Sequence, residues 1–161
     1  MREIRGEKTQ QQMALDFNLS REAYSKMENG SRKVQADIAL RMMERGDNAR
    51  FAFELRHQYT NTGPRWLDGP NVDLHHASVK EKTLEELEEA MKALREFNLA
   101  RSLKSISHWE RPEAEKVLEE MVEAVTALEH MVAILCENLE ISFVDTWQNH
   151  YLQLKAKGWL S

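Results

Sequence analysis

Leu118, Met121, Val125, Leu128, Val132, Leu135 and Leu139 recur at spacings of 3, 4, 3, 4, 3 and 4 residues. A strand turns alternate side chains to opposite faces, so only an α-helix keeps this series on one edge. Val117, Val122, Met131 and Ile134 widen the stripe, so the helix meets more than one neighbour. A sustained heptad line requires a partner. That partner is either the adjacent helix, which makes the line a core, or the same helix of a second subunit.

The rest of the chain fits this beginning. Leu84, Leu87, Met91 and Leu94 mark one face of a helix expected over about 80–106. "HWERPE" interrupts, and Pro112 suits the first turn of the long helix. A last amphipathic segment carries Phe143, Val144, Trp147, Tyr151, Leu152 and Leu154 and stops near Gly158. Gly63-Pro64 and Gly69-Pro70 forbid a continuous helix between the two halves. With no alternating β pattern of useful length, the chain reads as all-α. The expected organisation is a first domain over 1–59, a linker over 60–78 and a helical domain over 79–161, a long-helix hairpin with a shorter third helix. Trp66 is a candidate for pinning the linker to a domain.

Charge separates the halves. Residues 1–50 hold ten Lys/Arg against eight Asp/Glu, and residues 51–161 hold twelve against nineteen. The net charge of -5 speaks against nucleic acid for the chain as a whole, but not for a locally positive face. The single cysteine, Cys136, excludes an intramolecular disulfide. The polar N-terminal stretch and the absence of a long apolar run make the cytoplasm the expected compartment, with no membrane partner.

Between residues 9 and 33 the spacing becomes specific. Thr9 is a candidate N-cap, Met13, Ala14 and Phe17 face inward, and Asn18 falls where the chain must turn. Leu19 plugs the turn. Ser20 caps a second helix with Ala23, Tyr24 and Met27 inward, and Asn29-Gly30 ends it. Two short helices joined by a tight turn form a helix-turn-helix.

The stretch "TQQQMALDFNLSREAYSKMENGSRK" resembles the helix-turn-helix of the Cro and lambdoid-repressor class, the XRE family. Gln10, Ala14, Leu19, Ser20 and the exit through Ser25, Lys26, Glu28, Asn29 and Gly30 carry the likeness, which covers about residues 1–57. Asn18 departs from the glycine frequent at that turn. The resemblance implies a five-helix lambda-repressor-like domain whose helix 21–27 enters the DNA major groove. It implies base contacts from Arg21 and Lys26 to guanine, Glu22 to cytosine, and Ser25 to either. Gln10, Asn29, Ser31, Arg32 and Lys33 would meet the DNA backbone, while Glu28 would make a structural bond. A module of this size reads few base pairs, so binding of a palindromic operator by a homodimer is implied. Leu118, Met121, Val125, Leu128, Val132 and Leu135 are the expected dimerisation residues.

Other readings use the same residues. A plain helical domain would leave the polar faces of these helices merely solvated. An antitoxin-like or adaptor protein would use residues 79–161 to hold a partner protein, with autoregulatory DNA binding. An antagonist protein or small ligand at this domain is compatible with either. Glu119, Glu120 and Glu123 with Glu137 and Glu140 resemble the carboxylate motif of MazG-type nucleotide pyrophosphohydrolases. On one unbroken helix those clusters lie roughly 25 Å apart, too far for a shared cation, so no enzyme is expected. His75-His76 and the pair His130 and Cys136 lack metal-ligand spacing, so no metal or cofactor is expected. Nothing resembles the β-rich self-cleavage domain of lambdoid repressors.

Overall fold

The structure, a computed structural model, describes residues 1–98 and 107–161, and the regular elements among those residues are all helices. The helices are α1 (Arg2–Arg5), α2 (Gln10–Asp16), α3 (Arg21–Glu28), α4 (Ala36–Gly46), α5 (Ala49–Thr60), α6 (His76–Glu96), α7 (Arg111–Asn138) and α8 (Phe143–Ala156). A 3-10 turn, His108–Glu110, leads into α7. Among the described residues no helix is long and apolar enough to cross a membrane. The chain divides into two compact units: Met1–Gly63 with Glu140–Ser161, and Pro64–Leu139.

The first unit is built on short capped helices around one core. Thr9 and Gln12 close a reciprocal capping box at the start of α2, and the Ser20 hydroxyl accepts the Ala23 N–H at the start of α3. Asn18 turns the chain between them at φ 55°, and Leu19 N–H returns to Ala14 O over 2.8 Å. Met13, Ala14, Phe17, Tyr24, Met27, Val34, Ile38, Ala39, Met42 and Phe51 form the buried core. Ile4 packs on it from α1, and the close approach explains Gly46: a Cβ there would lie 2.8 Å from Ile4 Cγ1. Gln58 fixes the strand-like segment before α4, accepting from Val34 N–H and donating to Val34 O.

Helix α8 counts with this unit, not with the helices that precede it in sequence, a departure from the expected 79–161 domain. The cause is Asp47, at the left-handed end of α4. Its carboxylate accepts the N–H groups of Phe143 (3.1 Å) and Val144 (2.7 Å), two donors that the first turn of a helix leaves without internal partners. Ser142 caps the next, Asp145.

The second unit is an antiparallel hairpin of α6 and α7 with a strap laid over it. Early α6 meets late α7: Thr83 Oγ1 lies 3.2 Å from Ala127 O. Late α6 meets early α7, where Ala93 and Phe97 line a cleft with Val117 and Glu120. The strap uses residues expected to be linker. Leu67 N–H donates to His130 Nε2, His130 Nδ1 lies 2.8 Å from Thr126 O, and the Trp66 ring sits 5.3 Å from the His130 ring. Both imidazole nitrogens are therefore used by protein groups. Helix α6 begins earlier than expected because the side chain of His75 caps Ala77 N–H and Asp73 accepts from His75 N–H and Ser78 Oγ. It stops at Glu96, where Phe97 turns extended, and the stretch 99–106 of the expected helix lies outside the described residues.

Candidate nucleic-acid interface

Helix α3 has two unlike faces. Tyr24 and Met27 are buried in the core. Arg21, Glu22, Ser25 and Lys26 fall within an arc of about 140° on the other side, at 100° per residue. Arg21, Glu22 and Lys26 are exposed and Ser25 is half-buried. Among the described residues, the side chains of Arg21, Glu22, Lys26, Arg32 and Lys33 make no ion pair or hydrogen bond. Four cations, Arg21, Lys26, Arg32 and Lys33, stand here against Glu22 and Glu28.

Glu28 is neutralised inside the fold. Its carboxylate accepts from Arg5 Nε (2.7 Å) and from Gln10 Nε2 (2.6 Å), and its side chain is 2 % exposed. One residue thus ties α1 and α2 to the end of α3. Burial pushes its carboxyl up, but the bonds from Gln10 and Arg5 prevail and hold it below the ordinary value. Burial, and then the charge of Glu28, push the neighbouring Tyr24 hydroxyl up to about 12.

The expected backbone-contacting residues separate into two groups. Arg32 and Lys33 are exposed beyond α3. Asn29 and Ser31, also exposed, shape the exit as well: Asn29 Oδ1 accepts Ser31 N–H at 3.0 Å, and Arg32 N–H returns to Lys26 O. Gln10 also has a structural task, because its Nε2 donates one N–H to Glu28 Oε2.

The expected dimerisation line lies beside the helix–helix contact of the hairpin, not in it. The line that α7 turns to α6 is a different one, with Val117 and Ala124 buried and Ala127 half-buried. Opposite them on α6 lie Val79, Thr83, Glu86 and Ala90, all buried. Leu118, Met121, Val125, Leu128 and Leu135 remain 37–60 % exposed, and Val132 is half-buried. On α6, Leu84, Met91 and Leu94 are exposed as well. On each helix the exposed line follows the buried one by about 100° in the same rotational sense. Because the helices are antiparallel, both exposed lines open on the same side of the hairpin. The line is therefore not the core of the hairpin, and it joins α6 in one apolar face.

Of the glutamates expected on one unbroken helix, Glu119, Glu120, Glu123 and Glu137 lie on α7, but the helix ends at Asn138 and Glu140 follows beyond it with φ 54°. The sequence reading missed that Glu86 and Glu89 of α6 come up to Glu123. The signal was available, since Glu86 shares the heptad line of Val79, Thr83 and Ala90. Comparisons with family models, curated proteins and solved structures find no match to this chain.

Proposed function

We propose that this protein is a sequence-specific DNA-binding transcriptional regulator that occupies a palindromic operator as a homodimer and acts by repression. Such a regulator works in the cytoplasm. The observation that carries the reading is α3 itself. It is a capped helix locked to the core through Tyr24, Met27 and Glu28, and it offers Arg21, Glu22, Ser25 and Lys26 outward with Arg32 and Lys33 beside it. A rigid helix with mixed donors and acceptors on its free face suits base edges in a major groove. The apolar face of the hairpin supplies the dimer contact that two half-sites require.

The same apolar face also favours a second reading, an antitoxin-like or adaptor protein that seats a partner there. Selection of the full chain on a random duplex pool tests the first. Arg21→Ala relaxes preference at one base pair by about 1–3 kcal/mol, whereas Lys33→Ala weakens all sequences alike and lowers the salt dependence. Specific binding retained by Arg21→Ala plus Lys26→Ala refutes the assignment of α3 as the reading helix.

A further inference from the structure

The hairpin contains a buried charge that its own contacts leave half satisfied. Glu86 faces α7 and is 7 % exposed. Its Oε1 takes Lys82 Nζ at 2.7 Å. Its Oε2 is shut off from solvent and has no hydrogen-bond partner. An orphaned carboxylate oxygen in the interior is costly, and native structures fill such places with a donor, a water or an ion. Apart from Lys82, the groups gathered around this carboxylate are acceptors. Glu86, Glu89 and Glu123 each bring a carboxylate oxygen within 4.8 Å of the other two. Beside them is a cavity of about 500 Å³, lined by Glu86 and Glu123 together with Asp73, Ser78, Thr126 and His130.

We propose that Glu86, Glu89 and Glu123 bind a hard divalent cation of the Mg²⁺ or Mn²⁺ class between α6 and α7, with water in the cavity completing its shell. Oxygen ligands on opposite sides of such an ion stand about 4.2 Å apart, so small side-chain rotations bring this trio to bonding distance. Carboxylate and water donors suit these ions and not the softer metals. Lys82 does not fulfil the same task. It is shared with Glu85 at 3.1 Å, and it sits on Oε1, leaving Oε2 as it is. Like charges are crowded at the site: Glu86, Glu89 and Glu123 stand together, with Glu119 and Glu120 one turn back on α7. A cation removes that repulsion and satisfies Oε2 at once. The site lies within the hairpin and is independent of DNA binding.

Mn²⁺ is the probe, added to the full chain and followed by loss of the free-ion EPR signal, with Mg²⁺ as competitor. The expected result is one Mn²⁺ per chain, displaced by Mg²⁺. Glu89 and Glu123 are exposed, so Glu89→Gln and Glu123→Gln leave the packing intact, which circular dichroism checks. Each weakens binding by roughly tenfold or more. Glu137→Gln, in an exposed residue elsewhere on α7, leaves it unchanged. Equal affinity in Glu123→Gln and Glu137→Gln means diffuse attraction to an acidic surface and overturns the proposal. So does the absence of binding at millimolar Mn²⁺, which means that Glu86 and Glu123 share a proton instead.

Discussion

Leu118 and Ile134 lie on one helix and separate the two jobs of α7. Leu118 is 60 % exposed and Ile134 is 5 % exposed. Full burial of a leucine is worth about 1.5–3 kcal/mol, so covering the exposed part of Leu118 is worth about 1–2 kcal/mol per copy. A twofold interface counts the loss twice, about 2–4 kcal/mol. At tenfold per 1.4 kcal/mol, Leu118→Ala weakens dimerisation by roughly 30- to 1,000-fold. It leaves the stability of the single chain within about 0.5 kcal/mol, as for other surface changes. Ile134→Ala does the reverse and costs the fold about 2–5 kcal/mol, because the cavity lies inside the packed chain. Sedimentation equilibrium over a concentration series reads the association, and urea unfolding of dilute protein reads the fold. A Leu118→Ala chain that associates within threefold of wild type refutes the apolar face as a dimer contact. A wild-type chain that stays monomeric refutes it outright.

Two further outcomes test the first unit. The Glu28 carboxyl is held below 4.5 in the fold, so its contribution is complete above that pH and is lost as the pH falls through the lower, folded value. The stability gap between wild type and Glu28→Gln, read from the α2 and α3 amide signals in urea, is therefore widest at neutral pH and narrows below about pH 4.5; a gap unchanged at about pH 3 contradicts this. Asp47→Gly keeps the left-handed backbone at φ 40° and removes only the carboxylate that caps α8. It costs about 0.5–2 kcal/mol and speeds hydrogen exchange at Phe143 and Val144 while α3 is unaffected. Unchanged exchange at these two amides disproves the cap.

Local chemistry was legible where it acts over a few residues. Thr9, Asn18 and Ser20 announced the ends of α2 and α3 because a cap or a left-handed turn is written at the residue that makes it. Distant pairings carried no such mark. Asp47 caps α8 from 96 residues away, and nothing around Ser142 reveals it. The Gly/Pro segment was legible as a break in helix but not as a strap, because its attachment depends on His130, 63 residues beyond Leu67. In the candidate interface, the outward side chains of α3 followed from spacing and resemblance. The commitment of Gln10 to Glu28 did not, since a glutamine at a helix start bonds equally well to a phosphate or a carboxylate. The heptad line was legible as a line, but periodicity cannot say which of two adjacent stripes faces the neighbour.

The choice between those stripes follows from side-chain size. Ala90, Ala124 and Ala127, with Thr83, stand where α6 meets α7. Small side chains let two helices approach toward the near end of the usual 8–10 Å range, and leucines there would hold them apart. Close approach also brings the outward leucines of α6 and α7 edge to edge, so they make one continuous face and not two ribs. Leu84, Leu87, Met91 and Leu94 of α6 and Leu118, Met121, Val125, Leu128, Val132 and Leu135 of α7 contribute to it. At roughly 100 Å² for each side chain and about half exposed, they leave on the order of 500 Å² of apolar surface. That is as large as the largest patches on monomeric proteins. A standard interface takes about 800 Å² from each partner, and a homodimer contact is about 65 % apolar, which again gives roughly 500 Å². The face is thus the size of one half of a homodimer contact, and its two antiparallel lines can meet their own copies across a twofold axis to close a four-helix bundle.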